Sequence, residues 1–200
     1  MKKELDYFNI GTALGGSQKW LTDPMMYFGG CAAVTACDLS IFFAKYKGMP
    51  ELYPGDPNNV SKKDYVNFTK VMKPYIAPRK QGVDTLGIYT EGFSAYLRDA
   101  GNRSLAMEEI DGNLPYETAA QALRQSIDAG FPVSCLNLKN QHKALEEYEW
   151  HWFLLAGYMD DFGELLVKAI TYGAWEYLSL RELWDTGYEK RGGLVTFKLK

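Results

Sequence analysis

Histidine and cysteine are scarce in this sequence, which has two and three of them in 200 residues. Three cysteines are an odd number without framework spacing, and this argues against a disulfide-stabilised scaffold. Cys31 and Cys37 are six positions apart, which is not a zinc-ligand spacing, and no other ligand types are suitably placed. We therefore expect neither a metal nor another cofactor.

The sequence also lacks an excess of charge of one sign and lacks long apolar runs. Its net charge is −3 and its basic residues form no stripe, so electrostatics gives no reason to expect a nucleic-acid partner. No stretch approaches the roughly 18 apolar residues of a membrane span. The charged start, residues 1–6, has no apolar run behind it, and we expect no signal peptide. These absences predict a cytoplasmic protein in which cysteines stay reduced.

Apolar residues make up 46% of the chain, which is ordinary for a globular protein. Aromatic residues make up 14%, which is high and indicates a thick aromatic core or an aromatic-lined cleft. A chain of this length buries about 70% of its unfolded surface. We predict a single domain over residues 1–200, with a mainly helical lobe over 1–130 and an antiparallel sheet lobe over 131–200.

Periodicity separates the two lobes. Apolar residues at steps of three and four predict helices over 31–47, 61–73, 88–101 and 115–129. Residues 5–30 are expected to be irregular, and 105–110 to form a short strand. Alternation then predicts strands over 132–138, 150–158, 165–172, 175–180 and 193–199, with a short helix over 179–184 as an alternative to the end of the fourth. Helices followed by short-looped strands predict an α+β fold.

Cys31 and His151 are the strongest candidates for chemistry. Cys31 follows Gly29–Gly30 at the start of an apolar helix, where the positive end of the helix dipole favours a thiolate. His151 begins the aromatic segment 151–158, and a thiol nucleophile needs such a base. A structural interpretation stays open for both residues, because free cysteines and lone histidines are also found in cores.

The other candidates are weaker. Cys37 and Cys135 are expected mid-helix and mid-strand, as buried and inert thiols. His142 lies in a polar loop and is the one rival base. The tryptophans are more typical of a core than of a substrate platform, although one could shield the site from water.

Three motifs follow one another in the sequence: the Cys31 helix, the segment Gly130-Phe131-Pro132-Val133 and the strand His151-Trp152-Phe153-Leu154-Leu155-Ala156-Gly157-Tyr158. Together they resemble papain-like cysteine peptidases, most closely the bacterial C39-like branch. The resemblance follows the order of elements over most of the chain and depends on these short motifs. It implies a papain-like fold with a cleft between the two lobes. It also implies a Cys31 thiolate, with His151 as its base and then as the acid for the leaving group.

Three positions depart from the family pattern. The family usually has a glutamine a few residues before the nucleophile as an oxyanion donor, and here the nearest is Gln18, thirteen residues upstream. An Asn or Asp on the next strand usually orients the histidine, and here Thr171 occupies the matching stretch. Ala32–Ala33 replaces the Gly-Pro that often follows the cysteine. Gln18 and Thr171 are thus the candidates for these two roles.

The leading hypothesis is a cysteine-dependent hydrolase acting on a peptide or a small acyl or amide substrate, with no nucleic-acid or membrane partner. Two alternatives stay open. One is a catalytically inactive C39-like relative that binds a peptide or small ligand, and the other is a cysteine-dependent acyltransferase. The sequence leaves the oligomeric state open.

Overall fold

The computed structural model describes all of residues 1–200 and shows an α+β fold. Its helices are α1 (Pro24–Gly29), α2 (Cys31–Tyr46), α3 (Lys62–Met72), α4 (Leu86–Asp99), α5 (Tyr116–Asp128) and α6 (Leu180–Trp184). Its strands are β1 (Lys2–Glu4), β2 (Asn9–Ile10), β3 (Ala13–Leu14), β4 (Leu105–Asp111), β5 (Val133–Asn137), β6 (His151–Asp161), β7 (Glu164–Thr171), β8 (Ala174–Ser179) and β9 (Gly193–Leu199). The predicted helices and strands are confirmed to within a few residues at their ends.

Seven strands form one antiparallel sheet in the order β4-β9-β5-β6-β7-β8, with β1 added against β6. The hairpins β6–β7 and β7–β8 turn through Phe162–Gly163 and Tyr172–Gly173, and all four residues have positive φ. Two consecutive positive φ angles are the mark of type I′ turns, which match the twist of neighbouring strands. The sheet also takes β1 and β4 from the first 130 residues, so it is not built from residues 131–200 alone.

The sheet separates two apolar cores. Along β6, Trp152 and Leu154 face a core built around α2, whereas Phe153 and Leu155 face a second core under α5 and α6. This alternation is the period of two expected of a strand that is covered on both faces. Helix α2 is buried on almost every side because its small and apolar residues pack against α3 and β6. Cys31 and His151 therefore begin two elements that are packed in the interior of the fold.

Residues 5–30, which were expected to be irregular, contain short elements that lead to α2. A two-stranded hairpin, β2–β3, is followed by a 3-10 turn over Gln18–Trp20 and then by α1. Asp23 caps α1, since its side chain accepts from the backbone N–H groups of Met25 and Met26. Sequence periodicity misses such elements because, at two to six residues each, they are too short to display a repeating pattern.

None of the six helices combines the length and the apolar character that crossing a membrane requires.

Candidate functional site at Cys31

Cys31 is the first residue of α2, directly after the end of α1. The two helices meet at Gly30, where a Cβ atom would lie 2.3 Å from the carbonyl oxygen of Met26. Gly30 has a φ of −88°, so glycine is needed here for the close approach and not for an unusual backbone angle. The pair of short-linked helices thus fixes where the Cys31 thiol lies.

Cys31 separates two cavities and is the one residue that lines both. We name the larger, of about 950 Å³, the outer cleft; its lining includes Met25, Phe28, Arg79, Lys80, Asp84, Trp150 and Lys190. We name the smaller, of about 10 Å³, the inner cavity; its lining includes Gly16, Gln18, Asp38, His151, Thr171 and Tyr172. The inner cavity is about the size of one water molecule. Cys31, which is itself buried, thus borders a substrate-sized cleft on one side and a small polar cavity on the other.

All four sequence-predicted site residues line the inner cavity. They come from the 3-10 turn after β3 (Gln18), the start of α2 (Cys31), the start of β6 (His151) and the end of β7 (Thr171). The fold brings these four side chains together from positions up to 153 residues apart in the sequence.

His151 is held by the neighbouring strand. Leu154 pairs with Ile170, so Thr171 lies on the same sheet face as His151 and one step diagonally from it. The Nε2 atom of His151 is 2.7 Å from the Thr171 hydroxyl oxygen, and the imidazole stacks on the Tyr172 ring with centroids 4.8 Å apart. When Nε2–H donates to Thr171, Nδ1 keeps the lone pair that a base needs.

Burial keeps the imidazole neutral. His151 is 4% exposed, and desolvation followed by the positive charge of Lys19 lowers its pKa from 6.5 to about 4. The Lys19 ammonium lies over the Tyr172 ring that stacks on His151, with its Nζ atom 4.4 Å from the centre of that ring. Thr171 offers a neutral hydroxyl where an aspartate would have supplied a compensating charge. The threonine therefore orients the ring without favouring the imidazolium.

The Cys31 thiol is neutral as well. Burial raises its pKa above the ordinary 9.0, although the backbone N–H groups of Trp152, Ala32 and Cys31 itself act in the opposite direction by hydrogen bonding to the sulfur. The helix start was expected to favour a thiolate, and the local N–H groups do so. Desolvation outweighs them, because the thiolate loses more hydration free energy on burial than its hydrogen bonds to these N–H groups restore.

Gln18 is fixed by one hydrogen bond. Its Nε2 donates to the backbone carbonyl of Tyr27 at 3.0 Å, and its buried Oε1 has no partner. A primary amide has two N–H groups, so one remains for an oxygen atom that enters the cavity. This geometry is compatible with the donor role implied by the family resemblance, and it leaves an acceptor that bound water or substrate can satisfy.

The sequence did not point to Asp38. This carboxylate lies two turns along α2 from Cys31, on the same face of the helix. It accepts hydrogen bonds from the hydroxyls of Tyr65 and Tyr7, at 2.6 and 3.1 Å, and from the Gly16 N–H. Burial raises its pKa from 3.8 to about 6, against the effect of these donors. Asp38 thereby ties the loop that carries Gln18 to the helix that carries Cys31. An acidic residue within the apolar segment 31–46, seven positions after Cys31, is the signal that could have found it.

His142, Cys37 and Cys135 lie outside both cavities. His142 contacts the carbonyl of Asp185 at 3.1 Å, and Cys37 and Cys135 are buried free thiols whose pKa values burial raises. The tryptophans divide: Trp152 is buried and stacked on Tyr89, whereas Trp150 is 48% exposed in the outer cleft. No group of three His, Cys, Asp or Glu side chains comes together as a metal site would require.

No protein-family model matches this chain, and no curated protein matches it.

Proposed function

We propose that this protein is a papain-like cysteine hydrolase that cleaves a peptide or a small acyl or amide substrate bound in the outer cleft. One observation carries the proposal: Cys31 joins a cleft large enough for a substrate to a closed cavity that holds His151. Thr171 and Gln18 line the same cavity. Thr171 contacts the base, and Gln18 has one amide N–H that is not used in its hydrogen bond to Tyr27. A thiol, a base, an orienting group and a donor in one place are the parts of nucleophilic acyl transfer.

The proton moves during the attack. Because thiol and imidazole are both neutral at rest, Nδ1 of His151 takes the Sγ proton as the bond between Sγ and the carbonyl carbon forms. The carbonyl oxygen becomes an oxyanion, which the backbone N–H of Cys31 and the free N–H of Gln18 stabilise. His151 then protonates the departing amine, leaving an acyl thioester on Cys31. Water that gives a proton to His151 hydrolyses this thioester and restores the thiol.

A second candidate function is ligand capture in the outer cleft without chemistry. Its support is the same burial: the raised pKa of Cys31 and the lowered pKa of His151 leave no thiolate ready at neutral pH. In this case Gln18, Cys31, His151 and Thr171 would have a structural role around the inner cavity and would not react.

Acylation by an activated ester separates the two candidates. The protein is mixed with p-nitrophenyl acetate, nitrophenolate release is followed over time, and the acetylated residue is identified by peptide mass mapping. We expect acetyl-Cys31 with turnover in the wild type and in Cys135→Ala, whose thiol is buried outside both cavities. Cys31→Ala should lose the adduct, and His151→Gln should slow acylation by about 10³-fold.

Acetylation that His151→Gln leaves unchanged would overturn the hydrolase and leave the binding function. A product that is the amide of an added primary amine, in place of acetate, would identify an acyltransferase.

A further inference from the structure

The outer cleft is positively charged although the protein is acidic. It is lined by Arg79, Lys80 and Lys190 against a single carboxylate, Asp84, so three positive charges and one negative give a net charge of +2, whereas the whole chain has −3. Asp84 is already paired with Lys190, which lowers the pKa of the carboxyl, with a smaller contribution from Arg79. Arg79 and Lys80 have neither an ion pair nor a side-chain hydrogen bond. Two charged side chains in the cleft therefore lack an anion.

The cleft also exposes apolar surface that the fold does not need to expose. Phe28 is 81% exposed, Met25 51% and Trp150 48%, and all three line the cleft. Phe28 comes shortly before Cys31 in the chain, and Trp150 directly precedes His151. Large exposed apolar side chains that cluster in a concavity are typical of a ligand site.

Trp150 is held in an unusual backbone conformation. Its φ is 52°, which is rare for a bulky residue, and its backbone N–H donates to the Leu138 carbonyl at 3.3 Å. The Lys190 ammonium lies 5.7 Å from the centre of its ring. The backbone thus directs this ring to the cleft rim beside a cation, where an apolar group and a carboxylate can be bound side by side.

On the premise that Cys31 is the acyl-accepting nucleophile, we propose that the outer cleft selects peptides that carry a carboxylate next to an apolar residue. Arg79 and Lys80 bind the carboxylate, and Trp150 and Phe28 bind the apolar side chain. Arginine suits this role because its planar guanidinium bonds a carboxylate through two N–H groups. The carboxylate is either an acidic side chain or the free C-terminus of the peptide, since both present the same chemistry.

Two alkylating reagents of nearly equal size test the charge of the cleft without turnover. Iodoacetate and iodoacetamide attack the same Cys31 thiolate and differ in one negative charge, so their rate ratio at fixed pH is independent of the Cys31 pKa. In Arg79→Gln/Lys80→Gln the ratio of the iodoacetate rate to the iodoacetamide rate should fall about three- to tenfold. Added salt should lower the wild-type ratio towards the same value.

The matched control removes one guanidinium and one ammonium elsewhere. Arg98 and Lys200 line a separate hollow beside β4, and Arg98→Gln/Lys200→Gln should leave the ratio unchanged. A ratio that is equal in all three proteins, or that falls as much in the control, would overturn the proposal. Because alkylation needs no turnover, a protein that is inactive on esters still reports on the cleft.

Protection of Cys31 from iodoacetamide then identifies the carboxylate. Three amino-terminally acetylated Phe-containing peptides are compared: one with Glu and an amidated C-terminus, one with Gln and a free C-terminus, and one with Gln and an amidated C-terminus. We expect the first or the second to protect at about tenfold lower concentration than the third, and Arg79→Gln/Lys80→Gln to remove the difference. Equal protection by all three would overturn anion selection, whether or not the protein is a hydrolase.

Discussion

The outer cleft and the inner cavity share the Cys31 thiol, but their volumes are about 950 Å³ and about 10 Å³. The cleft is lined by exposed side chains with a net charge of +2, most of them from loops and from the short helix α1. The cavity is lined by buried residues of α2, β6 and β7, and its histidine is neutral. In the proposed function, the cleft decides which molecule binds and the cavity decides what happens to its carbonyl group.

In that proposal, binding and chemistry meet at a single residue, Cys31. Loop residues can change without disturbing a core, whereas residues of central elements cannot. We therefore expect changes in the cleft to alter affinity and changes in the cavity to alter rate or stability.

The largest effect should come from a pair of adjacent residues, Trp150 and His151, which face the cleft and the cavity respectively. His151→Gln removes the base and should lower kcat by about 10³-fold with little change in KM. Trp150→Ala should raise KM about three- to tenfold with kcat unchanged, because it removes uniform binding surface. Steady-state kinetics on a peptide ester measures both. An equal loss of kcat in Trp150→Ala would break the division between the two cavities.

The next effect concerns stability and depends on two opposite pKa shifts within the cavity. Between pH 6.5 and about pH 4 the imidazole is protonated in the unfolded chain but neutral in the folded protein. His151 therefore lowers the free energy of unfolding as the pH falls through this range. Between about pH 6 and pH 3.8 the Asp38 carboxyl is protonated in the folded protein but ionised in the unfolded chain. Asp38 therefore raises the free energy of unfolding as the pH falls through this range. Each gap in pKa corresponds to about 3 kcal/mol, and the two contributions largely cancel between pH 6 and 4.

Asp38→Asn removes one side of this balance. Its free energy of unfolding should fall by about 3 kcal/mol more than that of the wild type between pH 6.5 and 4. His151→Gln should show the opposite trend, with stability rising relative to the wild type over pH 6 to 4. Urea unfolding at a series of pH values measures these differences. Parallel pH profiles for all three proteins would show that neither group is shifted as described.

A smaller effect is expected at the orienting hydroxyl. Thr171→Val keeps the shape of the side chain but removes the partner of His151 Nε2, and kcat should fall about tenfold. Thr171→Ser keeps the hydroxyl and should retain most of the activity. Rescue by serine is the readout that a purely structural role would not give, since serine packs less well than valine. Equal losses in the two variants would contradict the orienting role.

The smallest effect links the surface to the cavity. Lys19 lowers the pKa of His151, so Lys19→Gln should raise that pKa while remaining outside both cavities. The chain has two histidines, and in a His142→Gln background NMR titration follows a single imidazole. Lys200→Gln, on the far side of the sheet beside β4, is the control that should leave the titration unchanged. An unaltered titration in Lys19→Gln would show that the ammonium is too well screened to act.

Much of the fold could be predicted from local patterns. The helix that begins at Cys31, the strand that begins near His151 and the glycine-containing turns all depend on neighbours within a few residues, which a linear sequence displays. The same patterns could not show that β1 and β4 join the sheet, because strand partners are chosen by contacts between distant segments. The short elements over residues 9–29 were missed for a different reason, because each is too short to display a repeating pattern.

The sequence by itself determined that a helix-borne cysteine and a strand-borne histidine exist in a chain whose one rival base is His142. Only the tertiary structure decided that Thr171 contacts His151, that Asp38 anchors the Gln18 loop, and that Arg79, Lys80 and Trp150 line one cleft. It also decided the protonation of the pair, because pKa values depend on how much water and charge surround a group after folding. The residue types specify which reactive groups the protein has, and burial specifies the protonation state of each group.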